Sequence, residues 1–273
     1  MTVGVIRTGT SVALAGVTKT LISPSSGLFM PSDAKKIISV KPIMASIKST
    51  TLESQTAKLD VESSDVRNLT PFEVLFAPIG AVLGATANTF TGMEEYNINA
   101  SLTGGEALNV FATGLVTNTY EPETMAYFIV SNDLRDHASM PQLHAKLGTL
   151  TVAGIAVDTD VAGTKYSFSG GRRITELFGL AHYKTLVDAT DGLIGGIKYT
   201  SSEFIDSIPQ ELPLYPMTYG VGATGSALIP GVSRQKVNIP VKPGQVNIQD
   251  YLNCGLLPST ATSTNFIDGV IYE

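Results

Sequence analysis

Slid along itself by 138 positions, the sequence meets its own copy. Residues 71–86, PFEVLFAPIGAVLGAT, lie over residues 209–224, PQELPLYPMTYGVGAT, with identities at Pro71/Pro209, Glu73/Glu211, Pro78/Pro216, Gly84/Gly222, Ala85/Ala223 and Thr86/Thr224. Ordinary composition would give about one identity in an ungapped stretch of this length. Further matches follow in the same order. Gly9-Thr10 and Ala15-Gly16 find Gly148-Thr149 and Ala153-Gly154; Lys35-Lys36-Ile37 finds Arg172-Arg173-Ile174; Ser63-Ser64-Asp65 finds Ser201-Ser202-Glu203. Asn97-Ile98 and Gly114-Leu115 find Asn238-Ile239 and Gly255-Leu256 at an offset of 141, so loops differ by a few residues between copies.

One collinear duplication means two modules of one fold, not a solenoid of many short units. The fold must therefore close within roughly 130 residues and occur twice, which is enough chain for two cores. The expected division is a first module over residues 1–131, with the matched part starting at Gly9, a connector over 132–147 (NDLRDHASMPQLHAKL), and a second module over 148–273.

Within each module the apolar pattern has period two or runs in short blocks, broken by turn residues, as in sandwiches and barrels. Ile37, Ile38, Val40, Ile43, Ala45 and Ile47 read as a strand, as do Leu59 and Val61. RRITELFGLAHYKTL, with Ile174, Leu177, Leu180, Tyr183 and Leu186, has helix-like spacing, but its counterpart is β-branched and holds Pro42, so strand is expected in both. GLIGG at 192–196 reads as a turn before the strand IKYTSS. EYNINASLTGGEALNVFATGLVTN and QKVNIPVKPGQVNIQDYLNCGLL each read as a hairpin about a Gly-Gly or Pro-Gly turn. YFIVSN and DGVIYE supply closing strands. Short helices are expected only near 133–146, where Met140, Leu143 and Leu147 are suitably spaced, and at 202–208. The expected class is all-β, two tandem sandwich modules with few short helices.

Composition narrows the function classes. Only 15% of residues are charged against 43% hydrophobic, so Thr, Ser, Asn and Gly must cover much of the surface, which suits packing against neighbours. Lys and Arg number 18 and Asp and Glu 24, giving 18 − 24 = −6, with no basic run for phosphate backbones, so no specific nucleic-acid partner is expected. Cys254 is the single cysteine, which removes internal disulfides and CxxC motifs and leaves a small, partly buried apolar residue. The N-terminus lacks a basic start followed by an apolar block, so no secretory route is expected. The most apolar stretch, 72–87, is interrupted by Glu73, Pro78 and glycines and falls short of the roughly 20 residues of a membrane span.

Two tandem β-sandwich modules in a charge-poor chain of this length resemble the double jelly-roll major capsid proteins of icosahedral viruses. The resemblance is architectural and covers the whole chain. It implies eight strands in two facing sheets per module and three chains per capsomer, so that six barrels give a hexagonal footprint from a homotrimer. It implies neighbouring capsomers, vertex or penton proteins and membrane-associated virion proteins as partners, and a virion capsid assembled in the host cytoplasm as the location. It also places the segment before Gly9 facing inward or reaching a neighbour. Loops here are too short for elaborate outward towers.

A search for chemistry returns no catalytic, cofactor-binding or metal residue and no small-molecule substrate. His137, His144 and His182 form no ligand set; DLRDH at 133–137 reads as a solvated face; no GxSxG elbow accompanies the many serines. SGG at 169–171 and GLIGG lack phosphate-loop patterns. Asp158/Asp160 and Asp188/Asp191 lack a full calcium loop. Asn68 and Asn99 sit in glycosylation patterns without a secretion signal. The pairs Lys35-Lys36 and Arg172-Arg173, at equivalent places, are expected to open the first sandwich strand on an inward rim, meeting acidic neighbours or lipid headgroups or simply solvated. Two other classes stay open: a two-domain carbohydrate-binding or surface-layer protein, which would favour Trp platforms where this chain has no Trp, and a duplicated-barrel enzyme, which would want more than three His.

Overall fold

The computed structural model describes residues 3–46, 53–66, 69–77, 79–81, 90–115, 121–133, 140–152, 160–168, 170–183, 195–200, 210–214, 219–220, 226–227, 232–252 and 264–273. No helix occurs among them. The chain separates into two compact units, one built on Met1–Ser46, Gln55–Ile79 and Thr89–Ala145, the other chiefly on Lys146–Glu273.

In chain order the first half contributes β1 (Val3–Arg7), β2 (Val12–Ala13), β3 (Lys19–Leu21), β4 (Leu28–Phe29), β5 (Lys36–Ser46), β6 (Glu53–Gln55), β7 (Ala57–Glu62), β8 (Glu73–Leu75), β9 (Ile79–Ala81), β10 (Phe90–Met93), β11 (Tyr96–Ser101), β12 (Ala107–Gly114) and β13 (Glu123–Ser131). The second contributes β14 (His144–Val152), β15 (Asp160–Phe168), β16 (Arg172–Tyr183), β17 (Gly195–Thr200), β18 (Gln210–Leu214), β19 (Tyr219–Gly220), β20 (Ser226–Ala227), β21 (Ser233–Val241), β22 (Gly244–Leu252) and β23 (Thr264–Tyr272). β6 with β9 and β19 with β20 are short ribbons.

The first unit has one sheet in the order β1-β13-β5-β10, with β2 also on β13 and β11 also on β5, and a second in the order β3-β12-β7-β8, with β4 also on β12. Taking β1/β2, β3/β4 and β10/β11 as single interrupted strands, eight strands run first-eighth-third-sixth in one sheet and second-seventh-fourth-fifth in the other. The second unit has β14-β23-β16-β21 and β15-β22-β17-β18, which is the same order. Two facing antiparallel sheets threaded in this way are a jelly roll. The chain is a double jelly roll.

The agreement extends to a local irregularity. On β5 and β13 the register steps from Ser39↔Ile129 to Ile37↔Val130, leaving Ile38 as an extra residue. On β16 and β23 it steps from Glu176↔Ile271 to Ile174↔Tyr272, leaving Thr175. Both bulges sit one residue beyond the matched triplet that ends at Ile37 and Ile174. Bulges re-aim a strand and are built features rather than noise.

Each core is the inward row of this ladder. In the first unit Val40, Met44, Leu59, Val61, Val74, Leu108, Val110 and Phe128 are buried, and in the second Leu177, Ile197, Tyr199, Leu212 and Val270. Each large apolar side chain so buried contributes about 1.5–3 kcal/mol.

The structure corrects three expectations. The segments about Gly104-Gly105 and Pro243-Gly244 reverse the chain but are not hairpins: β11 pairs with β5 while β12 pairs with β7, and β21 pairs with β16 while β22 pairs with β17. Turn chemistry dictates the reversal, and here the reversal carries the chain from one sheet to the other. The expected helix near 133–146 is contradicted at its described end, where 141–143 are irregular and β14 begins at His144; Pro141 would stand inside that helix, and the ladder with β23 takes the chain instead. The expected 202–208 helix lies outside the described residues. Third, Gly195-Gly196 belong to β17, paired with Leu214 and Pro213, and not to a turn. Before Gly9, Val3–Arg7 pair with β13 as β1.

Candidate functional site

The residues that could carry chemistry are scattered. His144 opens β14 and is buried, His182 lies in β16 opposite Asn265, and His137 is outside the described residues. Asp160 opens β15; Asp136, Asp158, Asp188, Asp191, Asn68 and Cys254 are outside the described residues. The amide of Asp133 donates to Ser131 Oγ at 3.1 Å, tying the start of DLRDH to the end of β13. Among the described residues no group of three or more His, Cys, Asp and Glu side chains could hold a metal ion. Asn99 is 6% exposed with φ 56°, inside the irregular step of β11, so its amide is not presented to a modifying enzyme in the folded chain.

The two basic pairs take equivalent posts. Lys36 starts β5 and Arg172 starts β16, the third strand of each unit and not the first as expected, because two earlier strands precede each in the chain. Lys35 donates its amide to the Ser131 carbonyl at 2.8 Å, while Arg173 and Glu273 exchange backbone bonds at 3.3 and 3.0 Å. Each pair therefore clamps the end of its closing strand. Their side chains diverge: Lys36 is buried, and that burial pulls its ammonium down, whereas Arg173 is exposed and meets Glu273 at 3.3 Å. Arg172 lies 5.9 Å from the centre of the Tyr272 ring. The acidic-neighbour expectation holds for Arg173.

The outer face of sheet β3-β12-β7-β8 is laced with charge. Leu59 and Val61 point inward, so Lys58, Asp60 and Glu62 alternate outward. Lys58 Nζ lies 3.3 Å from Asp60 and 2.9 Å from Glu73; Lys19 Nζ lies 2.6 Å from Glu62 and 4.4 Å from the centre of the Phe111 ring. Burial pushes the Asp60 carboxyl up against the pull of Lys58. The exposed Lys19–Glu62 pair contributes only about 0.2–1 kcal/mol and stays wet, whereas Asp60 is buried beneath the lysines.

The outer face of the other sheet is different. Row by row it carries Val5 beside Ile129, and Met125 beside Ile43 beside Met93. Val5 is 62% exposed and Met93 57%. β1 stands at the edge of this sheet. An edge strand with exposed apolar side chains is the kind of surface that pairs with other chains.

No family model and no curated protein matches the chain. Solved structures similar to it include the STIV MCP, at TM-score 0.49 and 8% identity, covering 100% of this chain and 97% of that one. The major capsid protein P2 from bacteriophage PM2 matches at TM-score 0.42 and 8% identity, covering 99% and 97%. PNGF-II matches at TM-score 0.47 and 9% identity over 99% of this chain and 64% of its own. These are likenesses of fold. The double jelly roll itself stands on the strand order of this chain.

Proposed function

We propose that the chain is a structural virion protein, the major capsid subunit of an icosahedral virus, assembling as homotrimers. The observation that carries this reading is a complete jelly roll present twice in one chain with one strand order. A three-fold ring of such a chain presents six near-alike barrels, so a closed cyclic trimer fills a nearly hexagonal cell and can tile a facet. The charge-poor composition and the apolar rim of the first barrel suit repeated protein contacts.

In this reading the modules are residues 1–131 and 148–273 about a connector at 132–147, and the chain carries no catalytic, cofactor or metal residue. Its partners are its own copies, neighbouring capsomers, vertex or penton proteins and membrane-associated virion proteins, and its place is the virion shell after assembly in the host cytoplasm.

The test is sedimentation and negative-stain microscopy of the expressed chain over a range of concentration, salt and pH. Trimers with a hexagonal outline are the expected result. A chain that remains monomeric under every assembly condition would end the proposal.

A further inference from the structure

Between the sheets of the second barrel sits an acid for which the first has no counterpart. Asp268 of β23 lies opposite Gly179 of β16 and is 1% exposed. A Cβ placed on Gly179 would meet Ile197 Cδ1 of the facing sheet at 2.9 Å, so this register position, and Asp268 with it, points into the barrel. Tyr166 of β15 answers from the facing sheet: its hydroxyl donates to Asp268 Oδ2 at 2.9 Å and lies 3.2 Å from the Asp268 carbonyl. Asp268 Oδ1 is buried without a hydrogen-bond partner among the described residues. One step along, the Tyr199 hydroxyl of β17 reaches the Gly269 carbonyl at 3.3 Å. Counted from the shared bulge, the matching position in the first barrel is Ala126, fully buried and apolar.

Asp250 of β22 is in register with Ile197 of β17; the described charged side chains on the other surrounding strands are engaged elsewhere. Glu176 of β16 is three residues from Gly179 and so on the outer face, where Arg234 and Lys236 of β21 pair with it. Lys146 of β14 donates to the Ser167 carbonyl at 2.7 Å, over the Phe168 ring. Lys165 of β15, Lys198 of β17 and Glu211 of β18 alternate with the buried Tyr166, Ile197, Tyr199 and Leu212 and so stand on the outer side of their sheet. His144 opens β14, and Arg172, Arg173 and Glu273 belong to the far end of the ladder. A carboxylate so placed has the Tyr166 hydroxyl and its own backbone amide as donors and, among the described side chains, no cation to offset its lost hydration. Such a group takes up a proton instead.

We propose that the second jelly roll is reinforced by acid: in acid the folded barrel carries Asp268 as the neutral carboxyl, and ionisation of that carboxyl loosens the barrel as the pH rises to neutrality. Burial pushes the Asp268 carboxyl up from 3.8 to about 7, and the Tyr166 hydrogen bond draws it partly back. The folded group thus holds a proton that the unfolded chain has lost between those two values. Stability from this group is complete below the lower value, falls across the window, and is constant above about 7.

The test compares thermal unfolding midpoints of the unassembled full chain and Asp268→Asn between pH 5 and 8.5. Asparagine keeps the shape and an acceptor for Tyr166 but cannot ionise. The variant should gain on the parent with rising pH, by roughly 5–10 °C in total, and the gain should level off above about 7. Parallel curves would overturn the proposal. Tyr166→Phe provides a second variant: it removes the donor that favours the charged form, so the upper end of the window should move to higher pH, and no movement would also count against the proposal. A protonated-carboxyl infrared band that titrates in the parent with the same midpoint reads Asp268 directly, even if the asparagine variant does not fold. These measurements need no capsomer, so their failure and that of the shell reading are separate results.

Discussion

The two barrels share a strand order and a bulge, yet they treat the outer face of the same sheet in opposite ways. On β13 of the first barrel burial alternates residue by residue, and Met125, Tyr127 and Ile129 are half-buried. On β23 of the second, every residue from Ile267 to Tyr272 is buried. Counted from the bulge, Lys41 in the first barrel becomes Phe178 in the second, Ile43 becomes Leu180, and Tyr127 becomes Gly269. Phe178 is fully buried, and a Cβ on Gly269 would lie 2.2 Å from its ring, so the glycine is the seat for the aromatic. A jelly roll closes on its inner rows alone; its outer rows are left to specialise, here into a wet or pairing surface in one copy and a dry one in the other.

The widest contrast should come from truncating that pair. Phe178→Ala should cost about 3–5 kcal/mol by denaturant unfolding, while Lys41→Ala should stay within about 0.5 kcal/mol. Equal costs would mean that the two outer faces do not differ as described. Gly104→Ala probes the turn between sheets in the first barrel. Gly104 has φ 100°, and a Cβ there would stand 2.5 Å from the Ser32 carbonyl oxygen, so strain and overlap should together cost about 1–3 kcal/mol in the same measurement. A smaller step is expected at the position after the bulge, which holds Ser39 in the first barrel and Glu176 in the second. Glu176 is buried against Arg234 and Lys236, and Lys236 is 75% exposed and can rehydrate. Glu176→Gln should therefore cost about 1–2 kcal/mol, not the larger amount of a fully buried pair, and Ser39→Ala less.

These contrasts also explain what could be read from the sequence. The duplication was legible because turns and strand starts demand particular residues, as at Glu73/Glu211 in β8 and β18 or the basic pairs opening β5 and β16. The helix-like texture of RRITELFGLAHY came from a strand whose residues 176–180 are buried on both faces, so that the apolar run loses its period of two. The match of Asn97 with Asn238 was two residues out: Asn97 stands opposite Ser39, and its equivalent opposite Glu176 is Lys236. A slip of two keeps every side chain on its own face, so patterning alone does not detect it. Which sheet a strand joins after a tight turn is a long-range matter, and the sequence around Gly104-Gly105 carries no trace of it. Asp268 was missed because a lone acid in DGVIYE looks like a strand-end residue until the facing Tyr166 is in place.

The smallest expected effect on stability lies at the rim of the first barrel. Val5 is 62% exposed on edge strand β1 and pairs only in backbone register with Ile129, so Val5→Lys removes little buried area and adds a solvated charge. Its unfolding free energy should remain within about 0.5 kcal/mol of the parent. A charge at an open edge also blocks further strand pairing, one of the usual ways such edges are kept from adding a neighbour. If the rim takes part in the proposed assembly, the same variant should sediment with less trimer at equal concentration while its unfolding curve is unchanged. A loss of stability comparable to that of Phe178→Ala would instead mean that β1 is as closed as the second barrel's outer face, and the contrast between the two copies would fail at its most exposed point.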